Sequence, residues 1–187
     1  MRIVAGAWRG RTLVAPPGQA TRPTADRVRQ ALFDMLMHAE WGGREAIEGA
    51  AVLDVFAGTG ALGLEALSRG AATACFIESD PVALKALRAN VKACKAEDRT
   101  RVLAVDVFST GGMGAIQPSS LVFLDPPYGR GLVPRAVTHL LRTGHIAPEA
   151  LIIAEIGQDE SWVPDQPLLA DRRYGAARML AFRAPED

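Results

Sequence analysis

The sequence predicts an α/β fold in which helices cover both faces of a mostly parallel, doubly wound sheet. From residue 51 onward, apolar strand-like segments alternate with helical segments, an order that is typical of such a sheet. A glycine-rich turn follows the first strand. Acidic residues lie in or just after the first four strands, at the edge where such sheets bind ligands. These three observations indicate the fold class.

The elements are predicted in chain order. Strands are expected at 51–56, 74–77, 101–105, 121–124 and 151–156, with 168–174 and 178–183 as a closing antiparallel pair. Helices are expected at 24–38, from 62 onward, at 81–95 and at 133–142. Thr24 is expected to cap the first helix, and Asp80 to cap the helix that begins at Pro81. Residues 1–18 are interpreted as a hairpin and 42–50 as a linker, which divides the chain into a 1–45 extension packed on a 46–187 main domain.

The turn after the first strand carries glycines at positions 58, 60 and 63. This spacing matches G-x-G-x-x-G, so an NAD-dependent oxidoreductase is one hypothesis. Asp54, inside the strand, argues against this hypothesis. A carboxylate at that position suits a ligand with a cationic group, such as an amino acid's ammonium, better than it suits the pyrophosphate of a dinucleotide. Asp54, Glu78, Asp106 and Asp125 are expected to gather along one edge of the sheet.

A second motif, Asp125-Pro126-Pro127-Tyr128, follows another apolar strand. A carboxylate and a proline carbonyl can both accept hydrogen bonds from an exocyclic amino group, and prolines stiffen the loop that holds them. The motif therefore favours an amino-group methyltransferase. Ser68 and Ser79 lack a histidine and an acid arranged as a nucleophile system, which argues against a hydrolase. An RNA-binding factor without catalysis is a third hypothesis, and the intact Asp125 argues against it.

Composition bounds the kind of protein. The 187 residues are 49% hydrophobic and 22% charged, as in ordinary globular domains, and no apolar run approaches the ~20 residues of a membrane span. We expect a cytoplasmic protein with two reduced thiols, Cys75 and Cys94. Three scattered histidines predict no metal site.

The charge is unevenly distributed along the chain. Residues 1–30 hold six arginines against Asp26 alone, a net charge of +5, so the other 157 residues carry −5. This basic arm predicts a polyanionic partner.

The chain resembles the RsmD family of bacterial 16S ribosomal RNA guanine-N2 methyltransferases over nearly its whole length. The motifs that carry the resemblance are Arg2-Ile3-Val4-Ala5-Gly6, Trp8-Arg9-Gly10-Arg11, Arg22-Pro23-Thr24-Ala25-Asp26-Arg27-Val28-Arg29 with Ala31-Leu32-Phe33, the run from Asp54 to Gly70, Ile77-Glu78 and Asp125-Pro126-Pro127-Tyr128. Many methyltransferases share the glycine turn and the last tetrapeptide. The N-terminal arginine motifs narrow the resemblance to this family.

The resemblance implies a class I methyltransferase with a seven-stranded sheet and S-adenosylmethionine as donor. It places the target base at Asp125, Pro126, Pro127 and Tyr128. It implies that the donor contacts Asp54, Phe56, Ala57, Gly58, Thr59, Gly60, Glu78, Ser79, Asp106 and Val107, with Glu78 on the ribose and Asp106 on the adenine. Arg9, Arg11, Arg22, Arg27 and Arg29 are expected to contact 16S rRNA, and the protein to be a monomer.

Two points remain open at this level. An adenine-N6 methyltransferase acting on DNA or RNA is the nearest alternative, because Asp-Pro-Pro-Tyr serves both bases. The fifth strand ends in Glu155-Ile156-Gly157, where the family resemblance implies a more polar ending, and the tail after Phe182 is short.

Overall fold

The computed structural model of the protein describes residues 1–16, 23–109 and 113–186. Within these residues, seven strands form one sheet in the order β3-β2-β1-β4-β5-β7-β6. The strands are β1 Ala51–Val55, β2 Thr73–Ile77, β3 Thr100–Leu103, β4 Ser119–Leu124, β5 Ile146–Gly157, β6 Leu168–Tyr174 and β7 Ala177–Arg183. Strands β1 to β5 are parallel, and β7 pairs antiparallel with both β5 and β6.

The helices are α1 Pro23–His38, α2 Ala61–Ser68, α3 Pro81–Ala93 and α4 Leu132–Arg142, with short 3₁₀ turns at Arg44–Ala46 and Glu97–Arg99. The chain reverses its winding direction between β1 and β4, which are adjacent in the sheet. In an open α/β sheet, this switch point opens a crevice for ligands. None of the helices in the described ranges is long and apolar enough to cross a membrane.

The predicted fold class is confirmed, and three local predictions need correction. Thr24 does not cap α1, because the helix already includes Pro23. The third strand ends at Leu103, so Asp106 lies in the following loop. The fifth strand is longer than expected and starts at Ile146. The predicted N-terminal hairpin is present in short form: Arg2 and Thr12 form an antiparallel bridge, Ile3 donates to the carbonyl of Arg11 at 2.9 Å, and Leu13 donates to the carbonyl of Met1 at 3.0 Å.

Apolar side chains pack against both faces of the sheet. Helices α1, α2 and α3 cover one face, where Phe33 and Phe123 are fully buried with ring centroids 5.6 Å apart. Helix α4 covers the other face through Val137 and Leu140, which pack in the same cluster as Phe182. Each such side chain contributes roughly 1.5–3 kcal/mol when it leaves water. The strand ends therefore stand on a rigid support.

The N-terminal arm, residues 1–16, is fastened to α2 rather than hanging free. The buried Glu65 carboxylate accepts the backbone N–H groups of Val4 at 2.9 Å and Ala5 at 3.0 Å. At the end of α2, Ser68 accepts the N–H of Trp8 through Oγ at 2.9 Å. A Cβ on Gly6 would lie 1.8 Å from the Ser68 carbonyl oxygen, so this close approach requires glycine. The arm and α2 therefore form one packed unit.

Asn90, in α3, holds the returning strand of the arm. Its Oδ1 accepts the N–H of Val14 at 2.7 Å, and its Nδ2 donates to the carbonyl of Val14 at 3.0 Å. The same Nδ2 donates to the carbonyl of Thr59, in the glycine turn, at 2.9 Å. Because Asn90 is fully buried, these three bonds satisfy its amide and connect the arm to the turn.

Candidate active site

A cleft of about 1420 Å³ opens at the carboxyl ends of the parallel strands. Its walls come from the ends of β1, β2, β4 and β5, from the loop after β3, and from α1. The four predicted carboxylates, Asp54, Glu78, Asp106 and Asp125, all line it. The expectation that they gather at one edge of the sheet agrees with this arrangement, and the cleft is large enough for a nucleoside-sized ligand and a base.

The glycine turn forms one wall of the cleft. Phe56, Gly58 and Gly60 have positive φ angles of 61°, 56° and 76°. A Cβ on Gly60 would lie 2.3 Å from Leu87 Cδ1, and a Cβ on Gly63 would lie 2.4 Å from the Phe76 ring. Space around Gly58 is open. Gly60 and Gly63 therefore permit packing of the turn, whereas Gly58 leaves backbone accessible to a ligand.

Asp54 lines the cleft from beneath the turn. Its side chain is buried, and Oδ2 accepts the N–H of Gly63 at 2.9 Å. Burial raises the pKa of Asp54 to about 8; the Gly63 N–H opposes this rise, and the charges of Asp125 and Glu78 add to it. Asp54, in β1, therefore makes its hydrogen bond to the first turn of α2 and holds that end of the helix against the strand.

Glu78 organises the end of β2. Its Oε2 accepts the N–H of Gly58 at 2.7 Å, and its Oε1 accepts the N–H groups of Ser79 and Asp80, each at 2.8 Å. Each carboxylate oxygen has more than one acceptor site, so these bonds leave capacity for a hydroxyl in the cleft. Glu78 thus joins the glycine turn to the neighbouring loop and remains available to a ligand.

The loop after β3 contributes an acidic residue and an aromatic shelf. Asp106 is exposed and accepts the N–H of Phe108 through Oδ1 at 2.9 Å, while Val107 is buried. The Arg135 guanidinium lies 4.4 Å from the centroid of the Phe108 ring. Phe56 lies on the same shelf, 6.5 Å from Phe108. Sequence reasoning missed Phe108 and Arg135, because they are far apart in the chain and belong to no spaced motif.

The Asp125–Tyr128 segment follows β4 directly and lines the opposite part of the cleft. Asp125 is exposed to the cleft but surrounded by protein, and this depth, with the charge of Glu155, raises the pKa of its carboxyl. Pro126 is buried, whereas Pro127 and Tyr128 are exposed. The Tyr128 hydroxyl donates to Glu155 Oε1, and burial, followed by this bond, raises the tyrosine pKa.

Glu160 steadies the loop that follows the tetrapeptide. Its Oε1 accepts the N–H of Gly129 at 2.9 Å and the N–H of Gly157 at 3.0 Å. The loop after β4 is thereby tied to the end of β5. Sequence reasoning missed Glu155, which lines the cleft, and the unexpected end of the fifth strand was the only signal for it in the sequence. It also missed the supporting role of Glu160.

The predicted RNA-contacting arginines fall into three groups. Arg9 and Arg27 are exposed, and Arg11 is exposed while donating to the carbonyl of Ala93. Arg29 is 5% exposed, bonds Asp26 Oδ1 at 2.9 Å and lies 3.5 Å from Glu65, so its side chain has partners within the protein although it borders the cleft, and its contact with RNA stays a prediction. Arg22 lies outside the described residues.

Across the ranges that the structure covers, no cluster of three or more His, Cys, Asp or Glu could hold a metal ion.

Fold and cleft together define a class I methyltransferase, the class that takes its methyl group from S-adenosylmethionine. The chain belongs to the family described as Conserved hypothetical protein 95, whose model matches residues 1–183; this confirms the RsmD resemblance. The oxidoreductase alternative finds no support.

Three proteins illustrate the match. Ribosomal RNA small subunit methyltransferase D of Escherichia coli is 41% identical over 98% of this chain and 88% of its own length. Its namesake in Haemophilus influenzae is 36% identical over 94% of this chain and 89% of its own. The solved structure of the "putative methyltransferase yhhF" from Escherichia coli matches with a TM-score of 0.82 and 36% identity, over 100% of this chain and 99% of that one.

Proposed function

We propose that the protein methylates the N2 amino group of a guanine in 16S ribosomal RNA, within a small ribosomal subunit or its assembly intermediate. The names of the 41% and 36% identical relatives support this class of RNA. The observation that carries the proposal is the position of Asp125, open to the cleft after β4 and followed by Pro126 and an exposed Tyr128. This arrangement suits a flat base with an exocyclic amine.

The residues beside the glycine turn fit S-adenosylmethionine, which supplies an activated methyl group. Gly58 leaves backbone open to the cleft, and Asp54 lies just beneath the turn. Glu78 can accept hydrogen bonds from ribose hydroxyls, and Asp106 can accept one from the adenine amino group. Each carboxylate retains acceptor capacity after its hydrogen bonds with the backbone. In this proposal Ser79 and Val107 border those two contacts.

The guanine amine is a poor nucleophile because its lone pair is delocalised into the ring. The Asp125 carboxylate would accept one N–H of the amine, and the Pro126 carbonyl would accept the other. Two acceptors favour a tetrahedral nitrogen with a localised lone pair, which stabilises the transition state more than the substrate. The raised pKa of Asp125 also makes it a better proton acceptor near neutral pH. Stacking on Tyr128 would contribute ~1–3 kcal/mol.

RNA binding is proposed for the exposed arginines of the N-terminal region. Arg9 lies on the arm and Arg27 on α1, one residue from Val28, which lines the cleft. Arginine suits phosphate because its planar guanidinium makes paired hydrogen bonds. Arg11 can join this surface if its bond to Ala93 is exchanged for a phosphate.

Product analysis tests the proposal. Free ribosomal RNA and small ribosomal subunits from a strain that lacks the protein are incubated in separate reactions with the purified protein and S-adenosylmethionine, and the nucleosides are resolved by mass spectrometry. We expect N2-methylguanosine at one mapped position of 16S rRNA. N6-methyladenosine without N2-methylguanosine would overturn the proposal in favour of the adenine alternative, and titration with S-adenosylhomocysteine would check that the protein used is folded.

A further inference from the structure

Two carboxylates end neighbouring strands in the base-binding part of the cleft. Leu124 of β4 is in register with Ala154 of β5, so the next residues, Asp125 and Glu155, lie side by side. Adjacent strands are about 4.8 Å apart, and residues in register point to the same face of the sheet. Asp125 and Glu155 both line the cleft. A ligand that reaches one carboxylate is therefore within reach of the other.

Glu155 has acceptor capacity that the protein does not use. Its Oε1 accepts a hydrogen bond from the Tyr128 hydroxyl. Among the residues that the structure describes, no group donates to its Oε2. Two neighbouring carboxylates repel each other, so a ligand with two adjacent N–H donors would relieve that repulsion.

The Watson–Crick edge of guanine carries such a pair of donors. Its N2 amine and its N1–H stand next to each other and point the same way. Adenine differs, because the position beside its N6 amine is N1, an unprotonated acceptor. A carboxylate facing that position would bond guanine and repel adenine.

We propose that Glu155 accepts the N1–H of the target guanine while Asp125 accepts its N2 amine, so that Glu155 determines the choice of base. This inference rests on the proposed guanine-N2 activity and extends it to a residue that selects the substrate. Sites that bond a substrate N–H reject analogues that lack it by large factors, because the buried partner is left unpaired.

A simpler role for Glu155, holding Tyr128 in place, predicts something different. In that case Tyr128→Phe, which removes the hydroxyl and keeps the ring, should change base preference as much as a change at Glu155. Our proposal expects Tyr128→Phe to lower the rate on every base while leaving the preference among bases unchanged.

The test compares guanine with 2-aminopurine, which keeps the N2 amine but has an acceptor at N1. The methylated position is first mapped with the wild-type protein, and ligated RNA then carries either base at that position, in whichever form of the substrate the wild type accepts. We expect the wild type to prefer guanine by ~10²-fold or more in kcat/KM. Glu155→Gln, whose amide can donate to an acceptor at N1, should bring the two values within about tenfold.

Glu149→Gln is the matched control, because Glu149 lies in the same strand, is exposed and does not line the cleft. It should keep the wild-type preference. An unchanged preference in Glu155→Gln, or an equal change in Tyr128→Phe, would overturn the inference while the N2-methylguanosine formed by the wild type still supports the proposed function. Absence of that product from the wild type would instead count against the proposed function itself.

Discussion

Replacing Glu65 by glutamine should release the N-terminal arm from α2. The Glu65 carboxylate is fully buried and accepts three donors: Val4 N, Ala5 N and Arg69 Nε at 2.9 Å. It also forms an ion pair with Arg29, whose Nε lies 3.5 Å away without a hydrogen bond. Glutamine has the same shape but is neutral, and its NH₂ must face one of these N–H donors. Two arginines that are at most 9% exposed would then lose their shared counter-charge.

Removing one partner of a buried ion pair destabilises a protein by roughly 3–5 kcal/mol. The amide oxygen of glutamine retains part of the bonding, so we expect about 3 kcal/mol for Glu65→Gln. At about 2–4 °C per kcal/mol for a chain of this size, Tm should fall by about 6–12 °C. Urea unfolding measures the free energy, and hydrogen exchange measures the local effect.

Exchange of the Val4 and Ala5 amides should accelerate more than exchange in the central strands, because the arm loses its acceptors directly. Glu97→Gln, at an exposed position in a 3₁₀ turn, is the control and should change neither quantity. If Glu65→Gln shifts Tm by less than 2 °C, or leaves the two amides as protected as before, then the carboxylate does not anchor the arm and the reasoning fails.

Three further predictions concern the cleft. Asp125→Ala should abolish methyl transfer while titration with S-adenosylhomocysteine still shows binding; retained turnover would refute its role as acceptor. Asp54 has a pKa of about 8 in the folded protein against 3.8 ordinarily, so the folded state keeps a proton that the unfolded chain loses. Stability should therefore fall as pH rises from about 4 to 8, and urea unfolding of Asp54→Asn should show a shallower decline; parallel profiles would contradict this. Gly63→Ala places a methyl group 2.4 Å from Phe76, so we expect about 1–3 kcal/mol of destabilisation, and an unchanged Tm would show that the turn yields.

The main sheet could be predicted because its signals are local. The segment 51–56 is apolar and leads into glycines, and the structure places a strand at Ala51–Val55 with the turn after it. The positions of Asp125 and Tyr128 followed from the same logic, since a motif directly after a buried strand must lie at the carboxyl edge. Short-range patterns therefore define both the elements and much of the cleft.

Contacts between residues that are far apart in the chain could not be predicted from such short-range patterns. Arg29 belongs to an arginine-rich motif that suggests RNA contact, but its burial depends on Glu65, thirty-six positions away in the chain. Glu155 matches no motif, and its importance comes from register with β4. Thr24 has the residue type of a helix cap, yet α1 begins at Pro23, because proline favours the first helical turn.

The three hydrogen bonds of Asn90 have a practical consequence for anyone dissecting this protein. A shortened version that starts at residue 46 would seem a sensible way to separate RNA affinity from chemistry. This truncation would, however, remove both hydrogen bonds between Asn90 and Val14. The buried Asn90 amide would then keep only its bond to the Thr59 carbonyl. Loss of methyl transfer in such a fragment could therefore result either from a disturbed glycine turn or from the missing RNA-binding residues. Single substitutions at Arg9 or Arg27 avoid this ambiguity, because they leave the contacts of Asn90 in place.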